Sequence, residues 1–411
     1  FVKKNMRWLF FVFFYVGFAW YCYYAFKTTF RSPFFSSFYV ISAILVFAFF
    51  LFHFAFSPTE FRVASPYKSY AMGLVGSWFL FSIAVVFFLL FEDVFRFIWA
   101  GIVKLFHWER PVVIPSRRRF ISALALGIAA LPFGALLYGM FRGKYRYKVL
   151  EYVLIFEDLP EAFDGYKISQ ISDIHSGSFD NAEKIAYGID LINQQQSDVL
   201  FFTGDLVNNT ASEMEPWMSS FSKLKDKDGI FSVLGNHDYG DYVSWPSPDA
   251  KEANLNRLKE IQQEIGFKLL LNEHKYIERN GEKIAIVGVE NWGKGGFKKA
   301  GDLNKAIAEI KENDFKILLS HDPSHWEAEV IPHSQHFHLT LSGHTHGMQF
   351  GIEIPGWIKW SPVKWRYKQW AGIYEALGQY INVNRGFGFL GYPGRVGIWP
   401  EITVITLKKA V

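Results

Sequence analysis

Five short blocks in the second half of this 411-residue chain carry Asp, Asn and His at spacings that suit metal chemistry. They are Asp173-Ile174-His175, Gly204-Asp205, Gly235-Asn236-His237-Asp238, Ser320-His321-Asp322 and Gly343-His344-Thr345-His346-Gly347. Each follows a short apolar or β-branched run, at 166–171, 199–203, 230–234, 316–320 and 337–341, and such runs read as buried strands. A single histidine at a strand end is ordinarily a packed or surface residue. Five successive strand ends supplying Asp, Asn or His are not a packing pattern, because ligand sites in open α/β sheets form at the carboxyl ends of strands. Oxygen and imidazole donors without thiolate suit Mn, Fe or Zn in a hydrolytic centre and argue against structural zinc. One carboxylate can bridge two ions about 3.5–4 Å apart, and a neutral Asn can add an amide oxygen. Such a pair brings bound water towards a pKa of about 7 and keeps positive charge for an anionic phosphate.

Positioning these blocks needs a sheet framework. A sixth strand is expected at 283–289, and helices at 182–194, 250–265 and 303–312. Asn280-Gly281, between 276–279 and 283–287, is a hairpin signal, since both central residues of that turn favour positive φ. The expectation is an α/β unit over 150–411, two packed sheets with helices outside.

The first 141 residues are a different material. They hold 29 of the 43 Phe but 4 of the 39 acids, with 13 Lys and Arg, while the remainder carries 30 basic and 35 acidic residues. Positive charge beside long apolar runs is the pattern of a membrane anchor and not of a nucleic-acid binder, so no nucleic-acid partner is expected. Four uncharged stretches at 8–26, 34–56, 70–91 and 120–141 approach or exceed the roughly 20 residues a bilayer core requires. These spans carry almost no metal ligands, which excludes a metal transporter. Residues 92–108 read as an amphipathic interfacial helix, with extension of the third span as the alternative. Residues 142–149 read as a basic linker. The only cysteine, Cys22, lies in an apolar run, which excludes a disulfide scaffold. Arg110 and Arg117 to Arg119, ahead of the last span, favour a multi-pass protein whose catalytic half lies outside the cytoplasm. Arg117-Arg118-Arg119 before an apolar helix also resembles a twin-arginine export signal. Lys3, Lys4, Arg7 and the cluster Arg142, Lys144, Arg146 and Lys148 pull the other way. The chain opens on Phe1 rather than Met, which leaves room for an upstream piece.

The order D-x-H, G-D, G-N-H-D, a lone H and G-H-x-H resembles the calcineurin-like metallophosphoesterase superfamily. The tail, with Asn384-Arg385-Gly386 and Pro400-Glu401-Ile402, is similar to its membrane-associated bacterial subgroup. The resemblance implies a four-layer double β-sandwich flanked by helices, here preceded by an all-α transmembrane region of about four helices. It implies two divalent metals: Asp173, His175, Asp205 and His346 around the first, and Asp205, Asn236, His321 and His344 around the second. His237 would face the phosphate and Asp238 would orient it. The implied activity is hydrolysis of a phosphoester or pyrophosphate bond through a metal-bridging hydroxide, with a phosphorylated, bilayer-derived lipid among the candidate substrates and no oligomeric state implied. A non-catalytic phospho-ligand receptor is the rival, but such a module should lack a ligand or His237, and none is missing. Residues 357–370 hold four Trp, one Tyr and four basic residues, a mixture typical of bilayer interfaces, and are expected beside the metal site. His325, His333, His336 and His338 are candidates for a substrate rim, and Lys294-Gly295-Gly296 for a phosphate loop.

Overall fold

Helix comes first because the residues before 142 are mostly apolar with only four acids among them, and in an apolar setting a helix satisfies its own backbone groups. The computed structural model describes residues 2–55, 65–107, 115–354 and 356–410, with the side chains of residues 2–9, 55 and 115 outside the description. The helices are α1 (Val2–Thr29), α2 (Pro33–Ala55), α3 (Pro66–Leu105) and α4 (Pro115–Phe141). Tyr15, Cys22, Tyr39, Phe50, Trp78 and Leu89 pack inside this first unit, while Phe13, Phe52, Phe87 and Leu131 stand exposed. Among the described residues, Pro33–Phe54, Pro66–Leu105 and Ser116–Phe141 are long and apolar enough to cross a membrane. The expected span at 8–26 falls in α1, whose first side chains, with Lys3, Lys4 and Arg7, lie outside the described residues, as does Arg110.

Residues 92–105 do not form a separate interfacial helix: α3 continues unbroken to Leu105. Of the charges that suggested an interface, Arg96 pairs with Asp93 one turn away on the same helix, and the acids beside it are also paired between helices. Arg118 of α4 donates to Glu92 at 2.5 Å and to Asp93 at 2.8 Å, and the Tyr21 hydroxyl of α1 also donates to Asp93. Paired in this way, they do not force the helix to stop at a water boundary.

The second unit contains two six-stranded sheets. The first runs β1 (Lys148–Phe156), β14 (Glu401–Lys409), β2 (Lys167–Ile171), β3 (Val199–Phe202), β4 (Ile230–Ser232), β5 (Phe267–Leu269). Strands β2 to β5 are parallel, and β14 lies antiparallel to β2 and parallel to β1. The second sheet runs β12 (Gly372–Ala376), β13 (Gln379–Val383), β9 (Leu339–Ser342), β8 (Phe315–Leu319), β7 (Glu282–Gly288), β6 (Glu273–Arg279). A separate hairpin joins β10 (Ile352–Ile354) to β11 (Ile358–Trp360). Ile168, Phe201, Phe231, Ile286, Ile317 and Leu341 form the core shared by the two sheets. The outer face of the first sheet is covered by α5 (Ala182–Asn193), α6 (Met218–Phe221) and α7 (Pro248–Glu264). The outer face of the second is covered by α8 (Leu303–Ala306) and the turn Trp326–Val330. These four layers match the expected sandwich.

Local chemistry explains the boundaries. Asn181 caps α5 by accepting the Lys184 N–H at 3.0 Å, and Ile185, Ile189 and Ile192 make its buried stripe. Asn280 and Gly281 take φ of 49° and 83° in the β6–β7 hairpin, as their turn type requires. The helix expected over 303–312 stops at Ala306, and Asp314 accepts the Lys311 N–H in the turn that enters β8. The basic linker is largely folded. Lys144 is 2 % exposed and pairs with Asp180 at 2.6 Å, and β1 already begins at Lys148.

Candidate metal centre

The five blocks sit at the carboxyl ends of β2, β3 and β4 in one sheet and of β8 and β9 in the other. Parallel direction within each sheet brings these ends to a single rim. Ligand atoms of Asp173, His175 and His346 lie within 4.8 Å of one another, and so do those of Asp205, His321 and His344. Asp205 connects the groups: its Oδ2 is 3.1 Å from His321 Nε2 and 3.6 Å from His175 Nε2. His346 Nε2 is 3.0 Å from His175 Nε2 and 3.1 Å from Asp173 Oδ1. His344 turns the other ring nitrogen inward, Nδ1 lying 2.8 Å from Asn236 Oδ1 and 3.3 Å from His321 Nε2. All seven residues named as ligands are therefore brought together.

The loops reach these positions through unusual backbone. Asp173, His175, Asp205, His344 and His346 all have φ between 48° and 70°, a region that costs a non-glycine residue about 1–2 kcal/mol. A Cβ on Gly343 would land on Ser172 Oγ and Asp173 Oδ2, and one on Gly235 would land on Asp205 Oδ1. The glycines thus permit the close approach that the ligand cluster demands.

Charge completes the fit. Burial favours neutral carboxyls, yet the neighbouring histidines hold Asp173 and Asp205 below the usual carboxylate range. Burial also keeps His175 well below its ordinary value and His344 down to about 4. Burial opposes an imidazolium at His321, but Asp205 outweighs it and pushes that ring up to about 10. Ionised carboxylates and neutral imidazoles are the forms that bind metal. Several acceptors facing one another at 3 Å, with few protons between them, are reconciled by cations. The residues therefore fit two divalent ions.

Backbone carbonyls set the histidine rings. His321 Nδ1 donates to Thr203 O at 2.7 Å, which leaves Nε2 for the centre. His237 Nδ1 donates to Asn208 O at 2.7 Å, and its backbone N–H donates to Asp205 Oδ1 at 2.8 Å. Asp238 does not orient His237. Its buried carboxylate accepts the N–H groups of Asp205 at 3.0 Å, Leu206 at 2.8 Å and Gly235 at 2.8 Å, so it ties two ligand loops together. Burial and Asp205 push it up to about 7.

A cavity of about 620 Å³ opens over the centre. Asp205, Asn236, His237 and His344 form its floor, and Phe297, Met348, Val363, Trp365 and Leu390 contribute apolar wall. Arg366 also lines it, its guanidinium 5.1 Å from the Phe297 ring centroid. The Tyr367 hydroxyl is 2.8 Å from His344 Nε2. Sequence reasoning placed Trp365, Arg366 and Tyr367 beside the site within an aromatic and basic run, but missed Phe297 and Leu390, which carry no local signal. It also missed buried Arg395, whose Nη2 donates to the carbonyls of Gly386 and Gly388 and lies 3.3 Å from His346 Nδ1. His325, His333, His336 and His338 line none of this cavity. His325 meets Ser320 Oγ at 2.9 Å, and His338 meets Asp158 at 2.6 Å. Lys294-Gly295-Gly296 precedes a four-residue helix capped by Asp302, which is no phosphate cradle.

Comparison with known proteins agrees with this arrangement. The profile of calcineurin-like phosphoesterases matches residues 166–348, and that of a probable calcineurin-like phosphoesterase transmembrane domain matches 6–144. An uncharacterized metallophosphoesterase of Bacillus subtilis is 31% identical over 303 residues, 72% of this chain and 98% of its own length. A second from the same organism is 26% identical over 282 residues, covering 68% and 97%. A transmembrane protein with metallophosphoesterase domain from Danio rerio is 27% identical over 297 residues, covering 70% of this chain and 63% of its own.

Proposed function

Since this chain belongs to the calcineurin-like metallophosphoesterase family, and is a metal-dependent phosphoester hydrolase with a transmembrane region, we propose that it uses a two-cation centre to cleave an amphiphilic phosphoester. The observation that carries this reading is the cavity: one continuous space joins the ligand cluster to an apolar wall of Phe297, Met348, Trp365 and Leu390. Asp173, His175, Asp205 and His346 would hold one cation, and Asp205, Asn236, His321 and His344 the other. Divalent ions held there would supply Lewis acidity towards a phosphoryl oxygen and would lower the pKa of water at the site. His237, its Nδ1–H fixed on Asn208 O, keeps Nε2 for the leaving oxygen, and in the imidazolium form it gives that oxygen the Nε2 proton and returns to the neutral ring. Arg366 adds positive charge in the wall for the phosphate, and the apolar residues take the hydrocarbon. Four helices anchor the enzyme, with the catalytic unit outside the cytoplasm. Arg117 to Arg119, in the first turns of α4, support that side.

The test is a substrate panel for the purified full chain in nanodiscs with Mn²⁺. Long-chain lipid phosphates and pyrophosphates should exceed their short-chain analogues in kcat/KM by tenfold or more, about 1.4 kcal/mol of selective binding. Equal turnover of short and long chains would remove the lipid reading and leave the hydrolase.

A further inference from the structure

After α4, ten large apolar side chains stand exposed among the described residues, and six of them fall between positions 348 and 365. They are Met348, Ile352, Ile354, Trp357, Ile358 and Trp365, with Trp357 82 % and Trp365 75 % exposed. Two of the six, Met348 and Trp365, also line the cavity over the metal centre, so the patch and the cavity mouth are one surface. The other four belong to the β10–β11 hairpin.

This hairpin is built to hold its shape. Arg385, 3 % exposed, grips Glu353 of β10 through Nε at 3.0 Å and Nη2 at 2.6 Å, while its Nη1 meets Glu401 of β14. The Gly351 N–H donates to Val396 O at 2.9 Å, and Ser361 Oγ donates to Gly347 O at 2.8 Å. A loop that simply failed to find a core would not be pinned by a buried bidentate pair at its root. Charge along the patch has one sign. Lys359, Lys364 and Arg366 accompany a single acid from 348 to 366, and that acid, Glu353, is neutralised by Arg385, while Lys368 beyond them is paired with Glu327.

We propose that residues 348–365 form a bilayer-docking surface, which seats the cavity mouth on the headgroup plane of an anionic membrane. Apolar side chains from a rigid hairpin enter the acyl boundary, Trp rings lie at the headgroup level, and the basic residues meet lipid phosphates. The membrane is the partner at hand, because the same chain carries helices long and apolar enough to cross it. The surface deepens the proposed lipid specificity, since it delivers a substrate without passage of its acyl chains through water.

The test places a fluorescent probe. In a Cys22→Ser background, Trp357→Cys is labelled with an environment-sensitive dye in the full chain, in nanodiscs of phosphatidylcholine and phosphatidylglycerol holding one copy each. Tyr187→Cys, on the exposed face of α5, is the control. The probe at 357 should emit to the blue of the control and be quenched by spin-labelled lipid but not by aqueous iodide. Emission like the control, with iodide quenching, overturns the proposal. Shielding that appears only when several copies share one disc overturns it too, and assigns the patch to a second copy of the chain. In a parallel arm, Ile354→Ser with Trp357→Ser should slow a long-chain substrate in vesicles by roughly tenfold or more, the size set by two apolar side chains leaving lipid. Turnover of p-nitrophenyl phosphate should stay within about twofold, less than half a kcal/mol. Equal loss on both substrates overturns the docking role. A probe in lipid with short-chain preference retains docking and removes the lipid substrate, while a probe in water with long-chain preference does the reverse.

Discussion

Asp238→Ala separates two roles for one carboxylate. In the structure Asp238 holds the N–H groups of Asp205, Leu206 and Gly235, and makes no hydrogen bond to the His237 ring. Removing it strands these three closely held buried donors, and with them the Val207 N–H, a weaker fourth at 3.4 Å. At about 1.5–3 kcal/mol for each of the three, the upper bound is roughly 4–9 kcal/mol. Water entering the vacated space restores part of this, as does relief of burying a carboxyl that stands near Asp205. The remainder falls on the loops that carry Asp205 and Asn236, so the expected result is a 10–100-fold weaker Mn²⁺ affinity, the usual size for residues that orient ligands. Asp238→Asn keeps one acceptor oxygen and should lose less. The assay is calorimetric Mn²⁺ titration of the metal-stripped full chain, followed by turnover at saturating Mn²⁺ on aryl phosphates of graded leaving-group pKa. Near-normal affinity, with a loss that grows for poor leaving groups and survives saturating metal, would refute the reasoning and return Asp238 to the service of His237.

Asp205 reaches towards both groups, its Oδ2 3.1 Å from His321 and 3.6 Å from His175, so on the proposed bridging role Asp205→Asn should lose more bound metal and more activity than Asn236→Ala; elemental analysis with turnover compares them. His237→Ala should keep both metals and lower turnover by roughly 10²–10⁴-fold, less for nitrophenol than for an alkyl alcohol leaving group. Glu213 accepts the N–H groups of Asn208 at 2.6 Å and Asn209 at 3.2 Å, and burial lifts it from 4.5 to about 7. The folded chain therefore keeps a proton that the unfolded chain releases, and stability present below 4.5 is lost as pH rises to about 7, roughly 3 kcal/mol in all. Glu213→Gln lacks that loss, so its Tm relative to the parent should rise between about pH 5 and pH 8. A constant difference across the range would show Glu213 titrating normally.

The candidate ligand cluster was legible because each of its residues lies in the first residues after a strand, so chain order and spatial order coincide at the rim. Asp173, His175, Asp205, Asn236, His321, His344 and His346 needed no long-range knowledge beyond parallel strands. Asp238 was misread because sequence adjacency to His237 suggests a contact, whereas the carboxylate reaches back to β3's loop. The groups that fix His321 and His237 are the carbonyls of Thr203 and Asn208, and backbone atoms leave no trace in composition. The interfacial reading of 92–108 failed because Arg118, which pairs with Glu92 and Asp93 across helices, lies 25 residues beyond Asp93. Phe297 and Leu390 enter the cavity from loops on opposite sides of the last ligand block, where apolar residues have no distinguishing spacing.

The place of β14 also orders events in time. It lies between β1 and β2 in the first sheet, and among the described residues β1 pairs with no other strand. During synthesis β1 therefore emerges soon after the anchoring helices, yet waits for more than 240 further residues before its partner exists. Until then Val153 and Ile155 sit on an open strand edge, the kind of edge that recruits foreign strands. Closure by a late parallel pairing is slow for reasons of loop entropy. A growing chain of this design is therefore exposed to misassembly until its last strand is made, and a stop codon just before Glu401 would remove an interior strand, not trim a tail.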